Sequence, residues 1–170
     1  MQNIIMDKDY VVPQNTGIGH VHLKVADLQR ALDFYHGLLG FTITQLYGDS
    51  AAFVSAGGYH HHIGLNTWQS KDALPAHGSH TGLYHVAILY PTRKDLAILL
   101  KRLLDANYPL DGASDHGVSI ALYLSDPDKN GIELYWDRAK NEWPLTASGS
   151  LDMFTKSLDL NELLSAIHQP

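Results

Sequence analysis

The chain reads as one strand–helix–strand–strand–strand pattern written twice. In the first copy, residues 17–25 alternate as a strand, and Asp27 can cap a helix whose apolar positions Leu28, Ala31, Leu32, Tyr35 and Leu39 keep a 3.6-residue period before Gly40 ends it. Strand candidates at 41–47, 51–56 and 59–68 follow, split by Gly48-Asp49-Ser50 and by Gly57-Gly58. A breaker-rich stretch, 69–79, carries Pro75 and Gly78 and separates the copies. The pattern then restarts: 82–90 is a strand, Thr92 can cap a helix bearing Leu96, Leu99, Leu100 and Leu103, and 108–115, 118–125 and 132–137 supply three more strands. Superposing His20 on His85 brings Gly64 near Glu133, at offsets of 44 and 48 residues, so the repeat is real but diverged.

The expected fold is therefore α+β: two paired βαβββ modules forming a half-open barrel around a metal site, with a short C-terminal helical tail. Residues 1–15 read as a leader, 16–138 as a single domain with modules at about 16–68 and 82–138, and 139–170 as a tail. The tail carries one short amphipathic helix, 159–167, and is expected to pack without chemistry of its own.

Strand parity decides which side chains share the enclosed space, because successive residues point to opposite faces. Val21, Leu23 and Val25 oppose His20, His22 and Lys24; Val86 and Ile88 oppose His85 and Ala87; Ile132, Leu134 and Trp136 oppose Glu133 and Tyr135. Extended along 59–68, the same alternation puts His60, His62, Gly64 and Asn66 inside and turns His61 away. Each sheet then has an aliphatic face for the helices and a polar face for a cavity, where unpaired polar groups would be costly to bury. Converging there, His20, His85 and Glu133 form the two-histidine, one-carboxylate set that suits non-haem Fe2+ and leaves coordination positions open. The same set also accepts Mn2+, Zn2+ or Ni2+. His62, His60 and Asn66 are the candidate substrate-binding residues.

Composition narrows the partners. Of 170 residues 18% are charged, the formal net charge is -6, and the 12 Lys and Arg form no cluster, which argues against a nucleic-acid or anionic-membrane partner. The absence of cysteine excludes both disulfides and thiolate metal sites. No signal peptide or bilayer-length apolar run is evident, and a cytoplasmic location is expected.

These motifs resemble the vicinal oxygen chelate superfamily, which includes glyoxalase I, bleomycin-resistance proteins and extradiol dioxygenases. The resemblance spans about 16–138 and rests on Ile18-Gly-His20-Val, on Leu23-Lys-Val-Ala-Asp27-Leu with Phe34-Tyr35 and Leu39-Gly40-Phe41, on Tyr84-His85-Val-Ala, and on Tyr123-Leu-Ser-Asp126-Pro127 with Asn130-Gly131-Ile-Glu133-Leu-Tyr. The runs 59–68 and 115–119 are most similar to the catechol 2,3-dioxygenase branch. The resemblance implies His20, His85 and Glu133 as metal ligands, and an aromatic vicinal diol and O2 as partners. It implies Tyr123 as a hydrogen-bonding residue and His116 beside the open ring site. An acid–base histidine is implied ahead of the second ligand, where the chain offers His77 and His80; His80 is the candidate. Gly64, where glyoxalase I would carry a fourth ligand, favours three ligands; His62 can serve as a fourth if the register shifts by two. Two further readings stand beside extradiol cleavage: a glyoxalase-like lyase or isomerase, and a bleomycin-resistance-like binder without turnover. A homodimer is the expected assembly.

Overall fold

Two sheets, each with its own helix, carry the chain in the computed structural model, which describes residues 9–75 and 81–169. In the first, β1 (Val21–Lys24) lies parallel to β4 (Ile63–Asn66), and β3 (Ala51–Ser55) and β2 (Thr42–Tyr47) follow antiparallel, giving the order β1-β4-β3-β2. In the second, β5 (Val86–Leu89) lies parallel to β8 (Gly131–Asp137), and β7 (Ser119–Ser125), β6 (Gly112–Asp115) and β9 (Lys156–Ser157) continue the sheet. The expected α+β pair of βαβββ units is present, and the tail adds a strand to the second sheet.

Local chemistry explains the helices. Asp27 accepts the Arg30 N–H and starts α1 (Leu28–Leu32), which widens into a π-helical segment, Asp33–Leu38, before Gly40 turns the chain at φ +88°. Thr92 accepts the Asp95 N–H and starts α2 (Arg93–Asp105). Asp159 caps the tail helix α3 (Leu160–Ser165), which ends in a 3-10 turn and presents Leu163 and Ala166 to the core. The aliphatic faces of both sheets and the helices form one core, with Leu23, Val25, Tyr35 and Leu65 from the first module and Leu96, Leu100, Leu122 and Leu134 from the second.

The modules are clasped by the Asp-Pro turn. Asp126, 1% exposed, accepts the Asp128 and Asn130 N–H groups and the Asn130 side-chain amide, and the Tyr35 hydroxyl reaches its Oδ2 at 3.0 Å. Asp128 accepts the Ala26 N–H and the Arg30 guanidinium from the first module. The Asp-Pro motif that carries the likeness to the superfamily is thus a hydrogen-bonded joint between the two units.

Several strands are shorter than expected: 17–25 is a strand only over Val21–Lys24, 82–90 only over Val86–Leu89 and 108–115 only over Gly112–Asp115, so His20 and His85 just precede the strands expected to carry them. The strand expected over 59–68 is ordered as a strand only from Ile63 to Asn66. Gly57 and Gly58 both sit at positive φ and open a wide loop after β3, and the chain rejoins the ladder at His62, whose N–H reaches the Val54 carbonyl. Alternation therefore does not extend through 59–62.

Candidate functional site

Parallel pairing sets the site. In the second module Ala87 lies beside Glu133, and in the first His22 lies beside Gly64 at the equivalent register. A Cβ on Gly64 would stand 2.9 Å from the His22 ring, so the imidazole fills the space that a side chain at 64 would take. In the second module small Ala87 leaves that space to the Glu133 carboxylate. The two pairs, His–Gly and Ala–Glu, exchange large and small across one shared backbone arrangement.

Gly131 brings His85 to the carboxylate. A Cβ there would collide with the Tyr84 carbonyl oxygen and press on His85, so only glycine lets the start of β8 lie this close to the residues that lead into β5. His85 Nε2 consequently meets Glu133 Oε2 at 3.0 Å. The other carboxylate oxygen, Oε1, accepts the Tyr123 hydroxyl at 3.0 Å, and Tyr123 Oη lies 2.7 Å from His116 Nε2. Tyr123 comes from β7 directly opposite Glu133, while His116 sits just past β6. Burial, with the Glu133 charge and hydrogen bond added, pushes the Tyr123 phenol up to about 12, so it stays protonated and able to donate at neutral pH.

Of the three expected ligands the structure therefore joins two. His20 precedes β1, is exposed, and lies against His61 with ring centres 4.4 Å apart and planes tilted by 49°. It lines, with His85, a cleft of about 980 Å³ whose wall includes His62 and Tyr135. Among the described residues no three His, Asp or Glu side chains stand close enough to hold one ion together. The joined pair is spaced as a hydrogen-bonded ion pair, and the same separation suits two donors at adjacent octahedral corners with bonds of roughly 2.1 Å, about 3 Å apart.

The other candidates are spread around this pair. His62 lines the larger cleft, but the Ala56 N–H donates to its Nδ1 at 3.3 Å and Ser55 Oγ lies 2.9 Å from the same nitrogen. With Nδ1 accepting, a neutral His62 carries its proton on Nε2 and has no lone pair left for a metal. His60 is exposed, its Nδ1 2.7 Å from that of His61. His61, expected to face away, instead packs against His20 and Phe53, because it lies in the loop where parity does not apply. Burial and the neighbouring His20 and His60 push the His61 imidazole down, favouring the uncharged ring that can pack there. Asn66 is buried, and its side-chain oxygen accepts the Trp68 N–H in a local turn. His116 and Tyr123 line a second hollow of about 540 Å³ with His85 and Thr155. His77 and His80 lie outside the described residues.

Sequence reading missed the tail's part. The Phe154 carbonyl lies 3.1 Å from His116 Nδ1 and Thr155 Oγ1 lies 3.2 Å from it, on the far side of the ring from Tyr123. Nothing in the local pattern of 150–157 announces this; it arises from β9 pairing with β6.

The model of the glyoxalase/bleomycin resistance protein/dioxygenase superfamily matches residues 17–134. The chain belongs to that superfamily. Within it, the chain is 41% identical over 153 residues to a catechol-2,3-dioxygenase of Bacillus subtilis (strain 168), covering 90% of this chain and 53% of that protein. It is 30% identical over 122 residues to biphenyl-2,3-diol 1,2-dioxygenase 3 of Rhodococcus globerulus, covering 71% of this chain and 63% of the relative. The chain thus spans about half to three fifths of the length of these relatives. Among solved structures, a glyoxalase/dioxygenase from Nostoc punctiforme aligns with a TM-score of 0.63 at 17% identity, over 79% of this chain and all of that one. A lactoylglutathione lyase from Agrobacterium tumefaciens aligns with a TM-score of 0.57 at 18% identity, over 73% and 96%. These superfamily structures share the fold. Among the described residues no helix is long and apolar enough to cross a membrane.

Proposed function

We propose that the chain is a metal-dependent extradiol dioxygenase that opens a catechol-like ring with O2, with Fe2+ held by His20, His85 and Glu133. The observation that carries this reading is the unbroken polar chain His85–Glu133–Tyr123–His116, with links of 3.0, 3.0 and 2.7 Å. The likeness to two ring-cleaving dioxygenases supports it. A divalent ion at this place would supply a seat for two adjacent oxygens and, as Fe2+, the electrons that O2 chemistry draws on.

The protein's own residues do the rest. Glu133 uses Oε2 toward His85 and keeps Oε1 under the Tyr123 hydroxyl, which holds the carboxylate plane in one orientation. Tyr123, protonated at neutral pH, offers its single proton either to Glu133 or to His116. His116 Nε2 is the nearer partner and exchanges a proton with the phenol, and through it with an oxygen bound in the 540 Å³ hollow. His62 and His60 border the larger cleft and loop and would contact the diol from the first module, His62 through its Nε2–H. Asn66 would act by holding the Trp68 turn, and His80 is the proposed acid–base partner ahead of His85.

A glyoxalase-like reaction would require a fourth ligand from the first module, and neither Gly64 nor an Nδ1-bonded His62 offers one. Anaerobic loading with Fe2+ followed by a catechol panel tests the proposal: oxygen uptake matched mole for mole by a yellow ring-opened product is expected. Stoichiometric iron with no oxygen uptake on any catechol would refute it. Light scattering checks the expected homodimer by a mass twice that of the chain.

A further inference from the structure

Residues 144–157, beyond the span that matches the superfamily, cross the second module as a strap. The strap is seated at Gly117: this residue lies at φ +79°, and a Cβ on it would stand 2.7 Å from the Phe154 ring and 2.8 Å from Pro144. The Lys156 ammonium lies over the Phe154 ring, 4.3 Å from its centre. Backbone bonds complete the seat, from the Phe154 N–H to the His116 carbonyl and through the Ser114–Ser157 and Asp115–Lys156 pairing of β6 with β9.

This seating presents the Phe154 carbonyl to His116 Nδ1 at 3.1 Å. A carbonyl oxygen can only accept, so a lone pair on Nδ1 would face it repulsively, and the arrangement is favourable only when Nδ1 carries the proton. The Thr155 hydroxyl at 3.2 Å can accept from the same N–H and does not oppose it. We propose that the strap is a positioning element: through the Phe154 carbonyl it fixes the proton on His116 Nδ1 and leaves Nε2 as a bare acceptor, which draws the single Tyr123 proton away from Glu133 Oε1 and so exchanges it. The other ring nitrogen's bond decides which nitrogen works, the rule that governs histidines in catalytic triads and metal sites. The inference rests on the proposed function only for its catalytic consequence; the proton's position is a property of the metal-free chain.

Two readouts separate these. In the full metal-free chain labelled with 15N-histidine, long-range proton–nitrogen correlation spectra report the tautomer of each neutral imidazole, and His116 is assigned by its absence from His116→Gln. His116 is expected with hydrogen on Nδ1 in the wild type, in Phe154→Tyr, which keeps the ring seat, and in Thr155→Val, which keeps the carbonyl. In Phe154→Ala, whose strap loses its seat on Gly117, the proton is expected to spread over both nitrogens. In the iron-loaded enzyme Phe154→Ala should lower kcat about tenfold with KM within about twofold, a fraction of the roughly 100-fold or more that general acid–base groups supply. Phe154→Tyr should restore it. The inference is overturned if wild-type His116 carries its proton on Nε2, if Phe154→Ala leaves the tautomer unchanged, or if Thr155→Val alone shifts it. An Nδ1–H tautomer that responds as expected in a chain that cleaves no catechol would sustain the inference and sink the function.

Discussion

The two βαβββ modules share one backbone plan and differ in what they place over the parallel strand pair at the heart of each sheet. The first puts a large imidazole, His22, beside Gly64; the second puts small Ala87 beside Glu133. The exchange leaves the first module without a carboxylate on its open face, where it gathers His20, His60, His61, Phe53 and Trp68 in ring contacts. The second module instead gains a connected line of polar groups from His85 to the tail, with the Glu133 carboxylate accepting from both sides. A duplicated unit can thus keep its core and topology while one pair of positions decides which copy can hold a charge.

The largest expected effect comes from removing that charge. Glu133→Ala should abolish metal retention and ring cleavage, and it should cost more than the 10- to 100-fold in affinity typical of losing a residue that only supports a ligand. Competition with a chelator measures it. His20→Ala should weaken binding less, because His20 is not joined to the His85–Glu133 pair before an ion arrives; equal losses would mean that the modules contribute alike.

Next in size are the residues that handle protons. Tyr123→Phe and His116→Gln should each lower kcat by roughly 100- to 10,000-fold when assayed at saturating metal. A loss of metal affinity in Tyr123→Phe beyond the roughly 10- to 100-fold typical of an orienting partner, with kcat unchanged at saturating metal, would instead make holding Glu133 the phenol's sole role.

The size exchange itself is tested by stability. Gly64→Glu should destabilise the fold by about 1–3 kcal/mol through overpacking against His22, and His22→Ala should relieve most of that cost in the double variant. Urea unfolding gives both. Additive losses would show that the two sites do not share space.

The last effect appears only in alkali and is absent at neutral pH. Burial raises Tyr90, Tyr108 and Tyr123 to about 12, and raises Tyr35 further still through Asp126. The folded chain therefore keeps these protons after the unfolded chain has lost them, and the tyrosines' contribution to stability should be level below pH 10 and fall as pH rises from 10 toward 12. Thermal melting against pH, with tyrosinate absorbance, checks the sign.

Much of this was legible because it is local or periodic. Helix caps at Asp27 and Thr92, the alternation of β1 and β8 and the repeat itself depend on neighbours in sequence, and they set the sheets and the open-face side of His22 and Glu133, while Tyr123 came from the superfamily resemblance. The histidine run at 60–62 was misread because two positive-φ glycines release it from the ladder, so that His61 turns inward to His20. The Asp126 clasp to Tyr35 and the Phe154 carbonyl at His116 join residues 91 and 38 positions apart, and a single sequence carries no signal of such pairings. Gly131 was quoted as part of a motif, but its reason, the close approach of the Tyr84 carbonyl, is visible only in three dimensions.

Metal content of the untagged chain, purified without chelator and measured by elemental analysis beside Glu133→Ala and His62→Ala, bears most directly on the second module as the working half. One ion per chain in the wild type and in His62→Ala, and none in Glu133→Ala, is the predicted result. An ion retained in Glu133→Ala but lost in His62→Ala would place the metal on the first module and contradict the account.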